Sequence, residues 1–113
     1  MLSKFATVVL FLLVGLPAHS QGPTGFGVYH CTDILLDRGN RITAQNWAVG
    51  YLSGMNVVWA RYAPENIPKD PLGKIKDPNA IYQWLDSYCK NNTQATLAPA
   101  LQIYFVELAG LKK

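Results

Sequence analysis

The chain carries two cysteines, Cys31 and Cys89, and this pair constrains its fold more than any other feature. The residues before them bear on the compartment in which they meet. Lys4 supplies a positive start, Phe5 to Leu16 form an apolar run of about a dozen residues, and Ala18-His19-Ser20 gives the small-x-small pattern that a signal peptidase cuts after. A membrane span takes about 20 apolar residues, so this run is too short to be one. Residues 1–20 are therefore expected to be a cleaved signal peptide, with the mature protein exported to the periplasm. An uncleaved N-terminal anchor is the other reading of the same residues. In an oxidising space two cysteines allow one intramolecular pairing, and closing so long a loop removes roughly 4 kcal/mol of chain entropy in the usual model. Free core thiols and a bridge between two chains are the alternatives.

A length of 113 residues allows one domain, and a domain this small builds only a thin core. Charged residues make up 15% of the sequence, against about 25% in ordinary domains. The net charge of +3 includes Lys4, which leaves with the leader. No basic stripe of the kind that tracks nucleic acid is present. No second apolar run reaches bilayer length, so no integral membrane span is expected after signal cleavage.

Periodicity then sets the fold class. Residues 21–28 (QGPTGFGV) hold three glycines and a proline and are expected to form a flexible arm before a single domain at 29–113. Tyr29 to Asp37 is expected to be a short helix with Ile34 and Leu35 turned inward, ended by Arg38-Gly39-Asn40. With Thr43 as its N-cap, the next stretch places Trp47, Tyr51, Leu52, Met55, Val58, Trp59 and Tyr62 at steps of three and four. This predicts an amphipathic helix ending at Ala63-Pro64. Residues 63–76 hold three prolines and three lysines without a period, and are expected to be an exposed loop. Asp77-Pro78 opens a third helix that Asn91-Asn92 stops. Thr96 caps a fourth, with Pro99 in its first turn and Gly110 at its end. No segment alternates with period two. The expected fold is all-α: a small bundle of three long helices plus a short N-terminal helix, with one disulfide.

Gly50 and Gly54 lie inside the second long helix, where each costs roughly 1 kcal/mol relative to alanine. Close approach of another helix would offset that cost, so both are expected to be helix-packing positions facing Trp84 or Tyr104. A ligand approaching the backbone is the other reading.

The residues offer no catalytic constellation. Gly50-Tyr51-Leu52-Ser53-Gly54 resembles a nucleophile elbow only superficially, because the serine is fourth and the context is helical. His30 is the one histidine beyond the leader. It lies near Cys31 and Asp33, too few ligands for a zinc site. The acidic residues are scattered; Asp86 and Glu107 are expected on helix faces, where either would pair with Arg61 if brought together. No catalytic residue, metal or cofactor is expected. Asn91-Asn92-Thr93 matches a glycosylation sequon. The aromatic content is high for so small a domain, and a bundle this size cannot bury all of it, which predicts an exposed apolar patch that marks a partner surface. Trp59 and Tyr62, with Lys69, Lys74 and Lys76 of the loop, are the candidate residues for that surface.

The order of features resembles the HdeA/HdeB group of small periplasmic helical proteins. The residues that carry the resemblance are Tyr29-His30-Cys31-Thr32-Asp33-Ile34-Leu35, then Ala48-Val49-Gly50-Tyr51 on a helix, then the late Cys89. The elements Gly50–Asn56 and Trp84–Cys89 are similar to those of the broader HdeA-like exported proteins, most without an assigned activity. The resemblance implies a periplasmic acid-stress chaperone: a folded homodimer near neutral pH that loosens in acid and exposes apolar surface to unfolded clients. A comparable Cys and Tyr-Leu-x-Gly pattern occurs in periplasmic immunity proteins of type VI secretion, which bind and block toxic enzymes. Both readings describe a protein that acts by binding protein.

Overall fold

Four α-helices follow one another in the computed structural model, which describes residues 25–111: α1 (Cys31–Leu36), α2 (Arg38–Tyr62), α3 (Asn79–Asn91) and α4 (Leu97–Leu108). The expected signal peptide and the first part of the expected arm lie outside the described residues. The last part of that arm, Gly25–Val28, is a 3-10 turn. Phe26 packs against the core from this turn and stacks on Tyr29 with ring centroids 4.3 Å apart. Among the described residues the fold is all-α, with one disulfide, Cys31–Cys89.

The boundary between α1 and α2 differs from the sequence expectation. Arg38-Gly39-Asn40 begins α2 instead of ending α1, because Asp37 breaks the helix with an extended backbone and then caps the next one. Its carboxylate accepts the Asn40 N–H at 2.8 Å. Gly39 accommodates that cap: a Cβ there would sit 3.1 Å from Asp37 Oδ1. The helix runs to Tyr62 and stops before Pro64, with Ala63 extended as a residue preceding proline must be.

α3 and α4 follow the sequence signals. The Asp77 carboxylate accepts the Asn79 N–H at 3.0 Å, and Ile81, Leu85 and Cys89 are buried along one stripe. At the other end, Asn91 and Asn92 turn their amide groups back to the carbonyls of Ser87 and Tyr88, which satisfies acceptors the ending helix leaves open. Thr96 precedes α4 in an extended conformation. Gly110 closes α4 at φ 73°, and Leu111 N–H reaches back to Val106 O at 3.1 Å.

The core forms where α2 and α4 cross, with α3 and α1 against them: Ala44, Ala48 and Leu52 meet Leu97, Leu101 and Phe105, and Ile34, Ile81 and Leu85 extend the cluster. α1 is too short to be stable alone, and backbone contacts hold it. Cys31 N–H donates to Ala95 O at 2.8 Å, Thr32 N–H to Thr93 O at 3.0 Å, and Leu97 N–H to Tyr29 O at 3.0 Å. Beside this ladder the disulfide brings the Cα atoms of Cys31 and Cys89 to 4.9 Å.

The 63–76 segment is not a free loop. Pro71–Lys74 forms a second 3-10 turn with Pro71 buried, and Leu72 and Ile75 pack against the core. Asn56 on α2 holds it from both sides, donating to Asp70 Oδ1 at 2.8 Å and accepting from Leu72 N–H at 3.2 Å. Trp59 Nε1 donates to Pro68 O at 2.7 Å.

Candidate functional site

The C-terminal half of α2 and the end of α4 do not close on one another. Between them lies an open groove of about 760 Å³. Its lining follows from the helical period: Tyr51, Met55, Val58 and Tyr62 recur along one face of α2, with Gly50 and Gly54 beside them. Phe105 and Val106 form the α4 wall, and Leu111 closes one side. Trp59 is the floor. Its ring meets Phe105 edge to face at 5.8 Å, and its indole N–H is already satisfied by Pro68, so it presents carbon to the groove. Tyr62 is the rim, 76% exposed, and Val57 and Val58 are 71% and 58% exposed beside it. Among the described residues no charged side chain lines the groove.

The two glycines are part of this surface. A Cβ built at Gly50 or at Gly54 meets nothing within 4 Å, so no helix approaches either one and the expected packing against Trp84 or Tyr104 does not occur. Trp84 lies elsewhere, stacked between Tyr88 at 4.9 Å and Tyr104 at 4.5 Å, with its indole N–H on Glu107 Oε2 at 3.0 Å. Burial first, and the Glu107 carboxylate second, raise the Tyr104 phenol above its usual pKa.

The five expected surface residues therefore separate. Trp59 and Tyr62 do face the groove. Lys69 donates to the carbonyls of Ala63 and Pro64, and Lys74 to Leu108 O at 2.6 Å, so both lysines satisfy carbonyls where helices end. Lys76 is exposed and lines no part of the groove. Arg61 meets neither Asp86 nor Glu107; Asp86 faces Arg41 instead, at 3.7 Å. From sequence Phe105 reads as part of the core stripe of the last helix, and nothing local marks Val106 or Leu111 until the crossing of α2 and α4 is known. Among the described residues no cluster of three or more metal-ligating side chains occurs, and no helix is long and apolar enough to cross a membrane.

No protein-family model, no curated protein and no solved structure matches the chain.

Proposed function

We propose that this is an exported protein-binding domain whose working surface is the groove between α2 and α4. The observation that carries the reading is an apolar, aromatic-floored groove left open in the folded chain. An exposed apolar surface of this kind marks a site where another molecule removes it from water. A binder that works while folded, as an inhibitor or immunity protein does, needs such a surface at neutral pH. The test is titration of the purified mature protein with apolar helical peptides that lack tryptophan, followed by the protein's tryptophan fluorescence. Saturable binding that a Val58→Glu substitution abolishes supports the reading; binding unchanged by Val58→Glu removes it.

A second reading, the HdeA-like acid-stress chaperone, draws support from the carboxylates. Five of the seven acidic residues make native contacts through their carboxylates: Asp37, Asp70 and Asp77 cap helical turns, Asp86 faces Arg41, and Glu107 accepts from Trp84. Acid leaves a chain with ten Lys and Arg residues strongly positive, and self-repulsion is a route by which a compact fold loosens. Reversible loosening from about pH 7 to about pH 2, with dye binding and protection of unfolded clients, is the outcome this reading requires. A protein that stays folded and inert across that range excludes it.

A further inference from the structure

We propose that Met55 is an oxidation site through which oxidants control the groove: conversion of its thioether to the sulfoxide makes an apolar wall polar and switches off apolar binding there. The proposal rests on the reading of the groove as the working surface and adds how that surface is regulated.

Sulfur chemistry singles this residue out. The sequence holds two cysteines and two methionines. Cys31 and Cys89 have both thiols in the disulfide and are fully buried, and no free cysteine remains. Met1 belongs to the expected leader, so Met55 is the one thioether of the mature domain. It is half-buried, packed against the core on one side and lining the open groove on the other. Along α2 it stands one turn after Tyr51 and one turn before Trp59, midway along the groove wall. Gly50 and Gly54 add no side chain to that wall, and the space beside each is open, so solvent reaches the helix around Met55. A thioether has no proton to lose before it reacts, and its oxidation therefore follows access.

A peroxide is the oxidant class such a groove admits. The sulfur lone pair attacks one peroxide oxygen, the O–O bond breaks as the S–O bond forms, and after proton transfer water leaves. Thioether and hydrogen peroxide thus give sulfoxide and water, with sulfur oxidised by two electrons and the peroxide reduced. The new oxygen is a strong hydrogen-bond acceptor. In the open groove water satisfies it, so the fold tolerates it. An apolar occupant expels that water, and the wall offers little in exchange: the Trp59 indole N–H is taken by Pro68 O. The cost of an unpaired acceptor therefore falls on binding. Methionine sulfoxide reductases reverse the change, which makes it a switch and not only damage.

The experiment treats the full mature chain with hydrogen peroxide, locates added oxygen by peptide mass spectrometry, and titrates an apolar helical peptide without tryptophan before and after. The expected result is one oxygen on Met55, at peroxide levels that oxidise free methionine, with helical circular dichroism unchanged. Peptide affinity falls at least about tenfold, and the two epimer-specific reductases together restore it. Met55→Gln, a polar side chain of similar size, lowers affinity without oxidant. Met55→Leu has the same affinity after peroxide as before it. Absence of oxygen on Met55 at those peroxide levels overturns the site. Oxidised Met55 with unchanged peptide affinity overturns the control and leaves the groove reading standing. A peroxide-induced loss in Met55→Leu as large as in the wild type assigns the effect to another residue and overturns the proposal. Loss of helical circular dichroism on oxidation places the cost in the fold and overturns it too. An unoxidised protein that binds no apolar peptide overturns the groove reading and the proposed control together.

Discussion

Gly50 and Gly54 sit at helical positions where a methyl group meets only solvent. Replacing either with alanine removes the helix penalty of glycine at no steric cost, so each substitution is expected to stabilise the fold by about 1 kcal/mol. A shift of the denaturant midpoint measures it, and a loss of stability would show that a helix does lie against them. Gly73 has the opposite surroundings, because a Cβ there would come 2.6 Å from Asp70 Oδ2. Gly73→Ala is expected to cost about 1 kcal/mol by displacing the Asp70 cap. Sequence places Gly50 and Gly54 in a helix and Gly73 in a loop, but not the carboxylate beside Gly73 or the open space beside the other two. Tyr104 gives a test in alkali. Its folded pKa is raised, mainly by burial, so the folded state holds the phenolic proton more tightly than the unfolded chain does. The contribution to stability is therefore complete below about pH 10 and is lost as pH rises through the folded pKa. Tyr104→Phe is expected to flatten that alkaline decline, measured as unfolding free energy against pH.

At the scale of elements, α3 and α4 were legible because their signals are local: Asp77-Pro78, Asn91-Asn92 and Gly110 each act within a turn of themselves, while Thr96 stands at the N-cap of α4 without a side-chain cap bond. The start of α2 was misplaced because Gly39 reads as a stop until the Asp37 cap beside it is seen. The 63–76 segment was less legible still. Its anchors, Asn56 and Trp59, lie on α2, and no property of the segment itself announces them. Asn56→Ala is expected to free the second 3-10 turn and cost about 1–3 kcal/mol, since Leu72 N–H and the Asp70 carboxylate both lose a partner. Faster hydrogen exchange at Leu72 would register it. α1 depends on the staple. The disulfide spans a sequence separation of 58, so its loss through Cys31→Ala with Cys89→Ala is expected to cost roughly 4 kcal/mol. The backbone ladder to Ala95 and Thr93 then holds α1 alone, and early exchange of the amides at positions 31 and 32 would mark its release.

Across the whole molecule, the fold class was legible and the groove was not. Helical period shows which residues share a face, but not whether a neighbouring helix covers that face along its full length. Phe105 and Trp59 meet where α2 and α4 cross, and beyond that contact the helices diverge enough to leave Val58 and Tyr62 uncovered. The α4 helix also joins two ends of different character. It begins at Leu97, beside the disulfide and its hydrogen-bonded ladder, and it finishes next to the groove. Leu111 is itself part of the groove wall, so a label on Leu111 sits at the site. A fluorophore, an affinity handle or a fused domain attached there would stand in the path of any occupant. The same attachment at Gly25 joins the 3-10 turn that leads to Tyr29 and the stapled start of α4, and Gly25 is not among the residues that line the groove.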